Sequence, residues 1–474
     1  MQNETYAVIE ISKKYIKFAV GKYKKNIGLK VVFKDREKNK VSWLTENNDI
    51  VDTNIVSHRL ARMINKYESI YKEKIERVSI VYPTGSLQIK DASPSVFVEN
   101  PDKVIRPEHI KTLYKHSRKV VYDENLVVTN IKPYEFKLNN FHSVAKPPIG
   151  IKANIVSMNA KVYTTERHIV ESFDKVIKNL GIEKLVVASH LYTLAKQCSD
   201  GLNFRDTFAL INWNWDCIDI GFFSRETLVK KQTINFGIKN IIENVATQMA
   251  AKFDIADKYI FKLLNFSSST LDNTVIYRKY LANEKRTYEL RAIDLKNILL
   301  EEMNAVIDKA DVLISREMQN VKNFKVYHTG KITEIAGFEK ILLRSNYKNI
   351  SEIYYSLVTG ASEIWTTSLC GMIKHSRAVN KTQKEIKTST AIYPNPKMVV
   401  APQVQQQPIM QGRPAVQNVP MAQQNRLMAQ QGFAQQNQRA NYQQMNHQQM
   451  MFQQNYQNNE NYLKNGIINT QRNK

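Results

Sequence analysis

Short apolar runs open the chain. Tyr6–Ile11, Tyr15–Val20 and Gly28–Phe33 read as three consecutive strands, the first two joined by a tight turn. The period then changes. Asp52 is placed to cap a helix carrying Val56, Leu60, Met63 and Tyr67 on one face. Val78–Tyr82 reads as a buried strand bounded by Pro83-Thr84-Gly85. In the small module that follows, Pro107 opens a helix with Ile110, Leu113, Tyr114 and Val121 facing inward, and Leu126–Ile131 and Lys152–Met158 are its predicted strands. A helix from Thr165 presents Ile169, Phe173, Val176, Ile177 and Leu180 and stops at Gly181, before a parallel-type strand at Leu185–Ala188.

The pattern then begins again. Phe208–Asn212, Cys217–Phe223 and Leu228–Ile234 repeat the three-strand start, and a helix follows at about 238–252. A second α/β section ends in the strand Phe324–His328 and a turn at Gly330. Two halves that each start as a β-meander and continue as α/β predict a duplicated ribonuclease-H-like fold, its lobes facing across a cleft. The expected boundaries are 1–83 and 163–200 for the first lobe, 84–162 for an inserted subdomain and 201–378 for the second lobe, with an insertion near 253–318. The remainder, 379–474, is expected to be a disordered tail.

Composition adds to this outline. From Ala401 to Lys474 there are 21 Gln and 12 Asn in 74 residues, too little apolar area to offset chain entropy. Lys381 to Met398 reads as a Lys- and Thr-rich linker into that tail. The net charge of +24 favours anionic partners, yet the lysines are spread through the globular part and form no nucleic-acid-binding motif, so no nucleic-acid partner is expected. Cys198, Cys217 and Cys370 make no metal spacing and fit a reducing compartment. No apolar stretch reaches membrane-span length, and the N-terminus lacks the pattern of a signal peptide. The sequence has no G-x-S-x-G, P-loop or HxxxH motif, and a structural role is expected for His328.

Several stretches carry a family resemblance. Val127–Glu135 resembles the "I-x-x-x-P-x-x-Y/F" segment of the FtsA family, Pro148-Ile149-Gly150-Ile151 its "P-x-G-M" turn, and Asn48–Lys74 its first long helix. The resemblance spans roughly residues 5–375 and identifies an actin-like protein with an FtsA-type (SHS2-like) inserted subdomain. It implies a cell-division adaptor at the cytoplasmic face of the membrane.

Actin-like proteins hold Mg-ATP with two hairpin loops and a Gly-rich adenosine turn, where backbone N–H groups approach phosphate. The family's D-I-G-[ST] corresponds here to Glu10-Ile11-Ser12-Lys13-Lys14. Its D-I-G-G-G-T-T-D corresponds to Asn212-Trp213-Asn214-Trp215-Asp216-Cys217-Ile218-Asp219. T-G-G becomes Thr329-Gly330-Lys331, and Gly237 keeps one glycine of a pair. Four loops have each lost glycine, so ATP binding is expected to be weak, altered or absent. In the opposing reading, Lys13, Lys14 and Lys331 substitute ammonium donors for backbone ones. Trp213 and Trp215 are expected in core or lobe-interface packing.

The resemblance also implies partners. The FtsZ C-terminal peptide would meet the second-lobe insertion, where Lys258, Lys262, Arg278, Lys279, Lys285, Arg286 and Arg291 supply positive charge. The family's Glu-Pro-Arg is missing there; the matching residues are Leu300-Glu301-Glu302. Self-association through 84–162 is implied as well. An anionic membrane surface is weakly supported: Tyr462–Ile468 makes a poor amphipathic helix, and the tail carries six Lys/Arg against Glu460. Two other readings stay open: a PilM-like scaffold of a pilus or secretion system, and a working actin-like ATPase.

Overall fold

The computed structural model describes residues 4–24, 28–39, 41–199, 207–282 and 285–396; the Gln/Asn-rich tail lies outside them. β1 (Glu4–Ile11), β2 (Tyr15–Lys24) and β3 (Gly28–Lys38) form an antiparallel meander. β1 is buried at every position from Thr5 to Ile11, because strands flank it on both edges and helices cover both faces; hence the unbroken apolar run. α1 (Thr53–Tyr71) begins where the Asp52 carboxylate accepts the N–H groups of Asn54 and Ile55 at 2.8 and 2.9 Å. β4 (Arg77–Tyr82) then returns parallel to β1.

The inserted subdomain contains β5 (Gln88–Ala92), β6 (Ser95–Phe97), α2 (Pro107–Arg118), β7 (Leu126–Leu138), β8 (His142–Val144) and β9 (Ile155–Glu166). Its sheet runs β5-β9-β7-β8, with β6 also on β9, and it has its own core around Leu113, Phe136, Val156 and Met158. β9 extends well past the expected Met158 and passes directly into α3 (Arg167–Leu180), capped by Gly181 at φ 65°. β10 (Glu183–Ser189) joins β4 in parallel and leads into α4 (His190–Cys198).

The second lobe repeats the first. β11 (Thr207–Trp213), β12 (Ile218–Ser224) and β13 (Thr227–Ile234) form the meander; α5 (Ile238–Gln248) and α6 (Phe253–Lys262) follow. A separate hairpin, β14 (Val275–Leu281) and β15 (Arg286–Arg291), precedes α7 (Ala292–Met318), β16 (Phe324–Thr329), α8 (Phe338–Ile341) and β17 (Ser351–Ile353). The sheet order β13-β12-β11-β16-β17 matches β3-β2-β1-β4-β10 strand for strand. α9 (Thr367–Asn380) returns to the first lobe against α4 and β1. Leu191, Phe208, Phe223, Tyr327, Leu369 and Ile373 belong to one core that both lobes share.

The segment read as a linker is partly ordered. β18 (Glu385–Lys387) and β19 (Ile392–Pro394) form a hairpin whose tip closes on the first lobe. There the Ser389 N–H donates to Thr5 O at 2.9 Å, and the Ala7 N–H donates to the Ser389 hydroxyl at 2.7 Å. Hydroxyls and backbone make this anchor, so no apolar periodicity announces it.

Candidate functional site

A cavity of about 620 Å³ lies between the lobes. The tips of the β1–β2 and β11–β12 hairpins line it, together with the turn after β16. Of the residues singled out from sequence, Glu10, Ser12, Lys13, Lys14, Asn212, Asn214, Asp216, Thr329, Gly330 and Lys331 reach this cavity. Gly237 stands just behind it: a Cβ there would lie 2.4 Å from Trp215 O. Gly330, at φ 119°, likewise sits with its Cβ position 2.4 Å from Trp213 O. Both surviving glycines therefore make room for the second hairpin itself.

The first hairpin is closed on itself. Ser12 donates its N–H to Tyr15 O at 2.9 Å, and its hydroxyl bonds the same carbonyl at 3.0 Å. Glu10 is 3% exposed. It pairs with Lys17, accepts from the Ser368 hydroxyl, and has His190 Nε2 at 3.6 Å. Burial alone would raise the Glu10 carboxyl; Lys17, His190 and Ser368 together hold it below the usual glutamate range.

The second hairpin is also internally bonded. The Asn214 N–H reaches Asn212 O and Cys217 O at 3.0 and 3.1 Å, and the Trp215 N–H reaches Asn214 Oδ1 at 2.9 Å. Its carbonyls then cap α5: Asn214 O accepts from Ile238 N–H at 3.0 Å, and Trp215 O from Lys239 N–H at 2.9 Å. The helix terminus that would face an anion is thus occupied by the loop.

Side chains close the cleft from both walls. Lys14 of the first lobe places its ammonium 3.0 Å from the centroid of the Trp215 ring, and Trp215 packs edge-on against Phe253 at 6.0 Å. Burial, reinforced by Lys38 and Lys331 and opposed by Asp257, pulls the Lys14 ammonium down to about 7. Lys13 meets Glu46 at 2.8 Å and, across the cleft, Asp216 at 3.9 Å. Asp216 is pushed up by burial, which Lys13 opposes. Asp257 on α6 draws in Lys331 at 3.3 Å and Lys38 of the first lobe at 3.8 Å. Lys231 on β13 crosses to Thr84 O at 3.0 Å.

Deeper in the cavity, Asp219 is fully buried, and burial raises its carboxyl despite Lys231. The side-chain atoms Asn212 Nδ2, Asp219 Oδ2 and Thr329 Oγ1 are buried without a hydrogen-bond partner. Trp213 is core, donating its indole N–H to His328 Nδ1 at 3.3 Å. Burial depresses His328 to about 3, so it is neutral and structural.

In this arrangement the protein's own groups already occupy part of the cleft. Backbone donors from each hairpin (Ser12, Asn214 and Trp215) and from the first turn of α5 (Ile238 and Lys239) are engaged within the protein. Glu10 is tied to Lys17 and Ser368. The Lys14–Trp215 contact lies in the cleft between the hairpins. Among the described residues, no group of three or more His, Cys, Asp or Glu is arranged to hold a metal.

The seven basic residues of the second-lobe insertion form a different surface. Lys258 and Lys262 are exposed one turn apart on α6; Arg278, Lys279, Lys285, Arg286 and Arg291 lie on or beside the β14–β15 hairpin. Tyr259 against Tyr277 at 6.2 Å joins helix to hairpin. Arg278 pairs with Glu289 at 2.8 Å, and Lys279 donates to Ala250 O at 2.6 Å. Sequence reasoning missed Lys17, Lys231, Asp257 and Ser368 at the cleft. Lys231, Asp257 and Ser368 lie far in sequence from their partners, whereas Lys17 faces Glu10 across the β1–β2 hairpin; only the composition of β13, with Lys230-Lys231 in a strand, hinted at one of the four.

No protein-family model matches the chain, and no curated protein sequence matches it. Solved structures do. The chain is similar to a PilM–PilN type IV pilus biogenesis complex, at 10% identity and a TM-score of 0.53, covering 78% of this chain and 98% of that one. It is also similar to the ethanolamine utilization protein EutJ from Carboxydothermus hydrogenoformans, at 11% identity and a TM-score of 0.45, over 78% and 90% of the two chains. The ADP-bound MreB5 of Spiroplasma citri matches at 10% identity and a TM-score of 0.45, over 79% and 97%. The fold is the actin-like one, two ribonuclease-H-like lobes with a subdomain inserted in the first.

Proposed function

We propose that this chain is an actin-like adaptor of the cell-division type, which works by holding partners and not by turning over nucleotide. The observation that carries this reading is the cleft. The N–H groups of Ser12, Asn214, Trp215, Ile238 and Lys239 are bonded within the protein, and side chains from both lobes meet across the gap. A lobe pair held this way is a rigid frame for peptide and self contacts. In this reading the basic surface of α6 and the β14–β15 hairpin attracts the acidic, apolar C-terminal peptide of FtsZ, positive charge raising the encounter rate. The inserted subdomain serves self-association, and the chain works at the cytoplasmic face of the membrane at the division site, its tail adding weak attraction to anionic lipid.

A second reading, a PilM-like scaffold of a pilus or secretion platform, is favoured by the likeness to the PilM–PilN complex. One titration separates them: anisotropy of a labelled FtsZ C-terminal peptide from the same cell, against the full chain, at low and moderate salt. Saturable binding that weakens as salt rises and is reduced about tenfold by Arg278→Glu with Lys262→Glu is expected. No binding at high micromolar protein removes the division reading and leaves the pilus-type scaffold.

A further inference from the structure

One end of the inserted subdomain displays large apolar side chains to solvent. Phe141 is 86% exposed, Phe97 68%, Ile149 51% and Ile151 45%. Short backbone links gather them. Phe97 lies beside Ile155 where β6 pairs with β9, and the next residue, Val98, donates its N–H to Asn154 O at 2.8 Å. The Asn154 N–H in turn donates to Asn139 Oδ1 at 2.8 Å, and Asn139 opens the β7–β8 turn that presents Phe141. The two isoleucines flank Gly150 in a turn from Pro148 to Ile151, closed at 3.3 Å, where Gly150 takes φ 87°. Ile105 holds this tip from both sides: its carbonyl accepts from the Gly150 N–H at 2.8 Å, and its N–H donates to Ile151 O at 2.9 Å. Lys146 and Lys152 frame the tip. Both are exposed, and among the described residues neither ammonium has an ion-pair or hydrogen-bond partner. Of the carboxylates nearby, Asp102 is taken up by Arg106 at 3.0 Å and Glu135 by the Ser143 hydroxyl at 2.6 Å, which leaves Glu99.

We propose that this end of the inserted subdomain docks on an anionic membrane surface, Phe141, Phe97, Ile149 and Ile151 entering the headgroup layer while Lys146 and Lys152 meet lipid phosphate. Exposed apolar side chains gathered at one place mark a contact with a membrane or another protein. Free cations beside them favour an anionic lipid surface, with the lysine stems lying along the apolar layer and the ammonium groups at the headgroups. Charge decides against a second copy here. Residues 84–162 hold 12 Lys/Arg against 7 Asp/Glu, so a copy would set one basic face on another of a chain that nets +24. The inference rests on the membrane part of the reading above and is independent of its FtsZ part. It moves the principal contact from the tail to a folded surface.

The test is co-sedimentation of the full chain with vesicles of phosphatidylcholine alone and of an equal mixture with phosphatidylglycerol. Binding to the mixed vesicles is expected, and much less to phosphatidylcholine. Phe141→Ser with Ile149→Ser and Ile151→Ser should weaken it about tenfold, and Lys146→Glu with Lys152→Glu severalfold with a flatter salt dependence. All five positions are exposed, so the melting temperature stays that of the parent. Arg426→Glu with Arg439→Glu in the tail is expected to change little. Unchanged binding by the serine variant would overturn the proposal, and if the tail variant lost binding instead, the membrane reading would stand on the tail alone. A parent chain that binds neither vesicle would sink the proposal and the membrane reading together, leaving the FtsZ titration to decide the rest. A parent that is dimeric in lipid-free solution, with a monomeric serine variant, would give the patch to a second copy and overturn the proposal.

Discussion

Glu10, at the end of β1 beside the cleft, has its oxygens facing Lys17 and Ser368 inside the protein. Because its folded-state carboxyl is held below the ordinary value of 4.5, the ionised pair contributes stability at pH above that value. That contribution is lost as pH falls through the lower folded-state value. Glu10→Gln leaves Lys17 buried without its partner and is expected to cost about 3 kcal/mol near neutral pH. The difference from the parent chain should shrink in denaturant titrations repeated below pH 4.5, where the parent's unfolded chain takes up a proton at Glu10 that its folded state still excludes. A difference independent of pH would mean that shape, and not charge, is what this residue contributes.

At the scale of elements, β18 and β19 make the clearest case of structure the sequence hides. Ser389 is fully buried, donates to Thr5, and accepts from Ala7 on the edge of β1. Ser389→Ala leaves the Ala7 N–H buried without an acceptor and is expected to cost about 1–3 kcal/mol in chemical unfolding. Truncation after Gln383 should cost at least as much, and an unchanged midpoint would show that the hairpin is a passive appendage. The strands of both meanders were legible because sheets covered on both faces give continuous apolar runs such as Thr5–Ile11. The β14–β15 hairpin was not, since its exposed Arg278, Lys279 and Tyr280 interrupt any apolar period. At the cleft, the missing glycines could be read from the loops themselves. That Lys14 lies on Trp215 could not, because the two are brought together only by the approach of one lobe to the other.

For the whole molecule, the question is whether the two lobes still respond to nucleotide. In a fold of this kind, a ligand gripped by both hairpins binds the folded state alone. At about 100 times its dissociation constant it would stabilise that state by ~2.7 kcal/mol. For a folded body approaching 400 residues that is a melting shift of about 3 °C, roughly 1 °C for each kcal/mol. Here the Ser12, Asn214 and Trp215 N–H groups are already bonded, and the lobes meet through Lys14–Trp215, Lys13–Asp216, Lys38–Asp257 and Lys231–Thr84. A nucleotide would have to break these contacts before making its own, so the gain is offset by what is lost. No melting shift is expected with millimolar Mg-ATP or Mg-ADP. A shift of about 3 °C would show that Lys13, Lys14 and Lys331 act as phosphate donors in place of backbone, and would return the cleft to the nucleotide-binding class. The same measurement on Trp215→Ala sharpens the point: removing the ring frees space beside Lys14, so an ATP response that appears only in this variant would identify the Lys14–Trp215 contact as what excludes the nucleotide.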